Sequence, residues 1–208
     1  MASRARGASG SWHAPRDLAA APSSNPVIDV TADRTAIVAW RASELDSEGN
    51  GIQSGLLHAR SRAPDGTLSA SQRLSATPTR NYRVAVAPSG ETLLAWSPSA
   101  PDTADLRYAT RPPGGPFGTA QVVAGVAPTG DFHGGPAALG DGTFLEAYTT
   151  AGRVRVIARP PAATFDPTPE LDTGGLYPLV VAAGRRAVAA WIVATGDAVR
   201  LVASARSA

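Results

Sequence analysis

An arginine recurs near the end of a short apolar run at Arg6, Arg62, Arg111, Arg159 and Arg206, at intervals of 47 to 56 residues. After each of the first four, a bulky apolar residue follows six positions on (Trp12, Leu68, Phe117, Phe165) and another follows twelve on (Leu18, Leu74, Val123, Leu171). Matches at fixed offsets of this kind define an internal repeat. A period in this range means a stacked or radial array of one supersecondary unit, because a single unit cannot bury its own apolar face.

Each unit reads as four short strands. The innermost are VIDV (27–30), RVAV (83–86), AAL (137–139) and LVVA (179–182). Tight turns carrying Asp33, Gly90, Gly142 or Gly184 follow, residues that supply or tolerate a positive φ. The second strands are almost continuously apolar and end on Trp40, Trp96, Tyr148 and Trp191, as strands covered on both faces should. The third strands alternate and end at the repeating arginine; in RVRVIAR, Arg153 and Arg155 take one side and Val154 and Val156 the other. A Gly/Pro turn then leads to a more polar outer strand near 68–74, 117–123 or 165–171, fit for a sheet edge. With 39 Gly and Pro among 208 residues and only 17% charged residues, turns and short strands suit the chain better than long amphipathic helices.

Four antiparallel strands per unit of about 50 residues is the signature of a propeller blade. The expected fold is therefore all-β: one domain over 1–208, with four four-stranded antiparallel blades at about 27–74, 83–123, 137–171 and 179–206. The chain opens on a turn plus outer strand and closes on a third strand that lacks one. The outer strand at 11–18 is thus expected to complete and close the last blade. An open arc, or half of a larger ring completed by a second chain, is the alternative arrangement.

In the pattern running from the second-strand aromatic through the arginine and Gly-rich turn to an outer-strand aromatic, the chain resembles the β-propeller repeat proteins of sialidase-like and exported type. The resemblance implies the fold. Asp boxes of the form S-x-D-x-G-x-x-W are missing, with APDGTL (63–68) the nearest approach, and no Trp-Asp dipeptide occurs. Function therefore has to be read from the site rather than from the fold.

In propellers, function sits where loops converge on one mouth of the channel. The segments leading into the innermost strands place Asn25, Asn81, His133 and Leu176 at equivalent positions, beside Pro26, Tyr82, Gly134 and Tyr177. Asn25, Asn81, Tyr82, His133 and Tyr177 are the ligand-binding candidates, since amides and aromatic rings suit a glycan or a peptide. As ordinary turn residues they would merely cap strand ends. Glu146, the one acid inside an apolar second strand, is the sole catalytic candidate. In the channel its pKa would rise by desolvation; alternatively it pairs with an arginine such as Arg155.

No cofactor is expected. Asp131, His133 and Asp141 have no enforced ligand spacing, and the acidic loop 41–55 lacks the order of a calcium loop. Cysteine is absent, which removes disulfides and thiolate metal sites. The 19 basic residues are all arginine, interleaved with 17 acids for a net charge of +2, so a nucleic-acid face is not expected. Neither is a membrane span, since no run approaches ~18 apolar residues. An exported setting is expected, although the polar stretch after the early arginines is no secretory leader. The expected function is a non-catalytic binding or interaction module that presents a loop-lined mouth to a protein or carbohydrate, as a monomer or homodimer. A sialidase-like glycoside hydrolase and a self-associating part of a larger propeller are the alternatives.

Overall fold

The computed structural model describes residues 2–3, 15–19, 23–45, 51–99, 105–128, 134–195 and 198–206. Among these residues the regular structure is strand throughout, arranged as antiparallel sheets in chain order. The first sheet comprises β3 (Ser23–Val30), β4 (Ala36–Leu45), β5 (Gly51–Arg62) and β6 (Gln72–Arg73). The second comprises β7 (Thr79–Val86), β8 (Thr92–Pro98), β9 (Arg107–Arg111) and β10 (Gln121–Val122). The third comprises β11 (Pro136–Ala138), β12 (Phe144–Thr150), β13 (Arg153–Arg159) and β14 (Leu171–Gly174). The fourth has three strands: β15 (Leu176–Ala183), β16 (Arg186–Thr195) and β17 (Ala198–Arg206). The all-β propeller architecture read from the repeat is what the chain adopts, with outer strands shorter than the pattern suggested.

Pairing register gives each sheet two faces with distinct duties. Counting back from Trp40, Trp96, Tyr148 and Trp191, the first and third positions point toward the next sheet: Ala39 and Ile37, Ala95 and Leu93, Ala147 and Leu145, Ala190 and Val188. The aromatic and the second position point back toward the preceding sheet. Three apolar seams follow. Ile37, Ala39, Leu57 and Ala59 of the first sheet meet Tyr82, Leu94, Trp96 and Phe117. Ala85, Leu93, Ala95 and Tyr108 of the second meet Phe144, Tyr148, Ile157 and Phe165. Leu139, Leu145, Val154 and Val156 of the third meet Val180, Ala189 and Trp191. Tyr108 and Phe165 cross the second seam edge to face, with centroids 5.0 Å apart, an arrangement the ring quadrupoles favour.

The expected closing strand is not found in the fourth sheet. Arg16–Asp17 (β2) pairs instead with Ala2–Ser3 (β1), and β17 pairs with β16 alone among the described residues. Leu18 is buried against Val38 and Trp40 on the back of the first sheet, and its carbonyl accepts from Arg60 Nη1 at 2.9 Å. The apolar side chain therefore covers the exposed end of the first sheet rather than extending the last. Residues 11–14 of the expected strand lie outside the described residues. Among the described residues no strand closes the fourth sheet, which the open arrangement given above as the alternative allows.

Seam burial yields a test. Trp96 is 1% exposed at the centre of the first seam. Trp96→Ala is expected to lower unfolding free energy by about 3–5 kcal/mol, measured by denaturant unfolding. Leu201→Ala, at a side chain 79% exposed, should shift it by about 0.5 kcal/mol or less.

Candidate functional site

The segments leading into the innermost strands carry equivalent bulges. Register shifts occur between Ser24 and Val27, between Thr79 and Tyr82, and between Leu176 and Leu179. Pairing makes Val27, Arg83 and Leu179 equivalent, so Asn25, Asn81 and Tyr177 share one position. Tyr177, rather than Leu176, is the counterpart in the last sheet. Asn25 and Tyr177 both hold left-handed backbone, at φ 52° and 53°, which is uncommon for non-glycine residues and costs energy that surrounding structure must supply.

The candidates take different surroundings. Asn25 and Tyr177 are exposed. Tyr82 is 2% exposed, and its hydroxyl donates to the carbonyls of Ser24 (3.2 Å) and Asn25. It is a strut across the first seam, not an open rim residue, and burial raises its pKa. Asn81 is partly buried, and its Nδ2 finds no acceptor among the described residues. His133 lies outside the described residues, as does Asp131. The bulges thus bring Asn25 and Tyr82 together, while Tyr177 stands two sheets away.

Glu146 is fully buried and points neither into a channel nor at Arg155. It shares the back face of β12 with Phe144 and Tyr148, inside the second seam. Arg155 is instead 3.4 Å from Asp172. Among the described residues, neither carboxylate oxygen of Glu146 has a hydrogen-bond partner. Desolvation pushes its pKa well above 4.5, opposed only by the charge of Arg83 across the seam. Gly134 and Gly135 make room here: a Cβ on Gly134 would fall 2.0 Å from the Ala147 carbonyl oxygen, and one on Gly135 2.6 Å from the Arg83 side chain.

The other acids serve the framework. A backbone N–H two residues on donates to the carboxylate of Asp33 (3.1 Å), Asp65 (2.8 Å), Asp141 (2.9 Å) and Asp166 (2.8 Å). Each closes an Asx turn of sequence Asp-x-Thr, and these bonds to the charged form lower all four pKa values. The motif recurs in the sequence at 33–35, 65–67, 141–143 and 166–168, but its members sit in different turns of the unit, so the repeat does not align them. Asp29 accepts from the Val86 N–H across the first seam at 2.9 Å. Glu91 pairs with Arg159 (3.0 Å), Asp172 with Arg153 (2.6 Å) and Glu170 with Arg206 (2.7 Å).

The repeating arginine thereby acquires a role. It lies on the back face and reaches the preceding sheet: Arg159 meets Glu91 of the second, and Arg206 meets Glu170 of the third. Arg111 is placed likewise toward Asp33 of the first. In the last sheet the corresponding turn holds Arg185 and Arg186 where the earlier turns hold Asp33, Glu91 and Asp141.

Among the described residues, nothing covers the outward face of that sheet. Leu176, Leu179, Val181, Val188, Val199 and Leu201 are exposed on it, with Tyr177 beside them at the bulge. Their counterparts Ile37, Leu93 and Leu145 are at most 1% exposed beneath the following sheet or its outer turn. Among the described residues, no cluster of three or more His, Asp or Glu side chains could hold a metal ion. No helix is long and apolar enough to cross a membrane.

Comparison with known proteins places the fold. No protein-family model matches the chain, and no curated protein is similar to it. Among solved structures it is similar to a protein described as a candidate gluconolactonase, at TM-score 0.53 and 16% identity over 89% of this chain. The chain spans 62% of that structure's length. It is also similar to a protein of unknown function from Dyadobacter fermentans (TM-score 0.49, 12% identity, 94% of this chain and 80% of that one). Trypanosoma rangeli sialidase with sialic acid gives TM-score 0.48 and 13% identity, over 98% of this chain and 38% of that one. These neighbours are propeller-type folds, and what the chain shares with the first of them is the fold.

The isolation of Glu146 predicts a pH dependence. Below pH 4.5 the acid is neutral in both folded and unfolded chains and has no effect. As pH rises through 4.5 the unfolded chain ionises while the folded chain retains its proton, so stability falls until the raised folded pKa is passed. Glu146→Gln removes this loss. Thermal unfolding from pH 4 to 8 should show the variant more stable than the parent at neutral pH, with the difference vanishing near pH 4.

Proposed function

We propose that the chain is a non-catalytic interaction module that meets a protein partner through the outward face of its last sheet and the adjoining bulge at Tyr177. The observation that carries this reading is the bare apolar face itself. Contiguous apolar patches of roughly 300–600 Å² or more on a soluble protein mark interaction sites. A hydrolytic reading needs two carboxylates converging on an open cavity. Among the described residues, Glu146 is sealed in a seam, and Asp29, Asp33, Asp65, Glu91, Asp141, Asp166, Glu170 and Asp172 are engaged in turns or pairs.

The occupant that fits is a second copy presenting the same sheet. The face has the residue pattern that three seams of this molecule already use for sheet-on-sheet packing. The first sheet is less suited to it: Leu18 occupies its back face over Val38 and Trp40, leaving Ile28 and Val30 exposed. Its repeating arginine, Arg62, would also confront Arg185 and Arg186. Two last sheets running in opposite senses set each arginine turn against the partner's Leu176–Tyr177 end, which keeps like charges apart.

Sedimentation velocity tests the reading. The parent is expected to approach twice its 21.2 kDa as concentration rises, and Val181→Glu with Leu201→Glu should hold it at one chain. A parent that stays single at every concentration, with scattering unchanged in the double variant, would set the second-copy partner aside.

A further inference from the structure

We infer that the groove between the outer parts of the first and second sheets is an oxyanion-binding site whose principal ligand is Arg111. This site is independent of the apolar face above. The groove encloses about 420 Å³ and is lined by Ser61, Ser69, Ser71, Arg111, Gly114 and Phe117, among others. No carboxylate borders it.

The argument rests on comparing one repeat position across sheets. Arg159 pairs with Glu91 through Nη2 at 3.0 Å and lies over the Phe144 ring at 5.7 Å, although its Nε and Nη1 have no hydrogen-bond partner among the described residues. Arg206 is satisfied by Glu170, through Nε at 2.7 Å and Nη2 at 3.1 Å. Arg111 has the same backbone setting and is 6% exposed, yet among the described residues it forms neither hydrogen bond nor ion pair. Thr92 stands opposite it where Arg159 has Phe144, so the ring contact is missing too. Asp33 acts on Arg111 only at a distance, because its carboxylate is turned to Thr31 and Thr35. A guanidinium facing a groove with neither ion pair nor hydrogen bond leaves its N–H donors open to acceptor oxygens there.

Arg111 also borders a second depression of about 250 Å³, which contains Asp33. An anion there would meet the carboxylate at close range. The serine-lined groove offers the opposite: a planar guanidinium for bidentate binding of two oxygens, with hydroxyls beside it. Arg60 borders the groove, but its guanidinium donates to the Ser69 and Leu18 carbonyls and is committed to the framework. The ligand class is therefore a carboxylate, sulfate or phosphate group, borne on an acidic sugar or free in solution.

Thermal unfolding of the whole chain tests this with sodium glucuronate, sulfate and phosphate, each against sodium chloride at equal ionic strength. Low millimolar concentrations keep general salt exclusion small. At least one anion should give a saturable rise, roughly 5 °C or more at about a hundred times its Kd. Saturation by glucuronate assigns an acidic sugar, and saturation by the inorganic ions alone assigns a free tetrahedral oxyanion. Arg111→Lys, which keeps the charge but loses the fork, should weaken binding at least tenfold, and Arg111→Gln should abolish it. If Arg111→Gln does not fold, the lysine variant and the parent titration decide. No saturable shift over chloride in the parent, or equal affinity in parent and lysine variant, would overturn the assignment.

Discussion

Everything in this molecule depends on one sheet laying its front face on the back face of the next. A strand alternates its side chains between two faces, so a near-continuous apolar second strand is stable only when covered twice. Ile37 and Ala39, Leu93 and Ala95, and Leu145 and Ala147 are covered by the sheet that follows. Trp96, Tyr148 and Trp191 are covered by the sheet that precedes. The large ring at the strand end fills the widening space between twisted sheets, while alanine at the position before it lets the neighbours approach. No unit can reach that state alone, which is why the sequence repeats.

Charge is subordinate to this stacking. The repeating arginine projects from the back face and joins the sheet before it, so it belongs to the seam more than to its own unit. The acids are distributed accordingly, between Asp-x-Thr turns and the arginines that reach across. Where this allocation is incomplete, the molecule is chemically distinctive: among the described residues Glu146 is buried without a donor, and Arg111 lines its groove without an ion-pair partner. Both lie on back faces, in neighbouring seams.

The fold was legible because its signals are periodic: strand type, turn position and the aromatic at each second-strand end all follow from local pattern. The site was less so. Tyr82 reads as a rim residue from its offset, yet a bulge turns its hydroxyl toward the neighbouring sheet's carbonyls. Glu146 reads as a channel acid, but the parity of β12 sends it into a seam. Arg111 cannot be told from Arg159 within its own unit; the difference lies in Asp33, Thr31 and Thr92, which belong to other strands. Closure by residues 11–18 is not shown among the described residues: strand phase says nothing about competing burial, and Leu18 lies against Val38 and Trp40.

That placement of Leu18 has a consequence for assembly. Were both ends of the array equally open, copies could add head to tail without limit, and the product would be a filament. With Leu18 seated on the back face at one end, the pairing proposed above through the other end would obey two-fold symmetry and stop at two subunits. In that arrangement a single buried side chain near the amino terminus would separate a finite particle from a polymer.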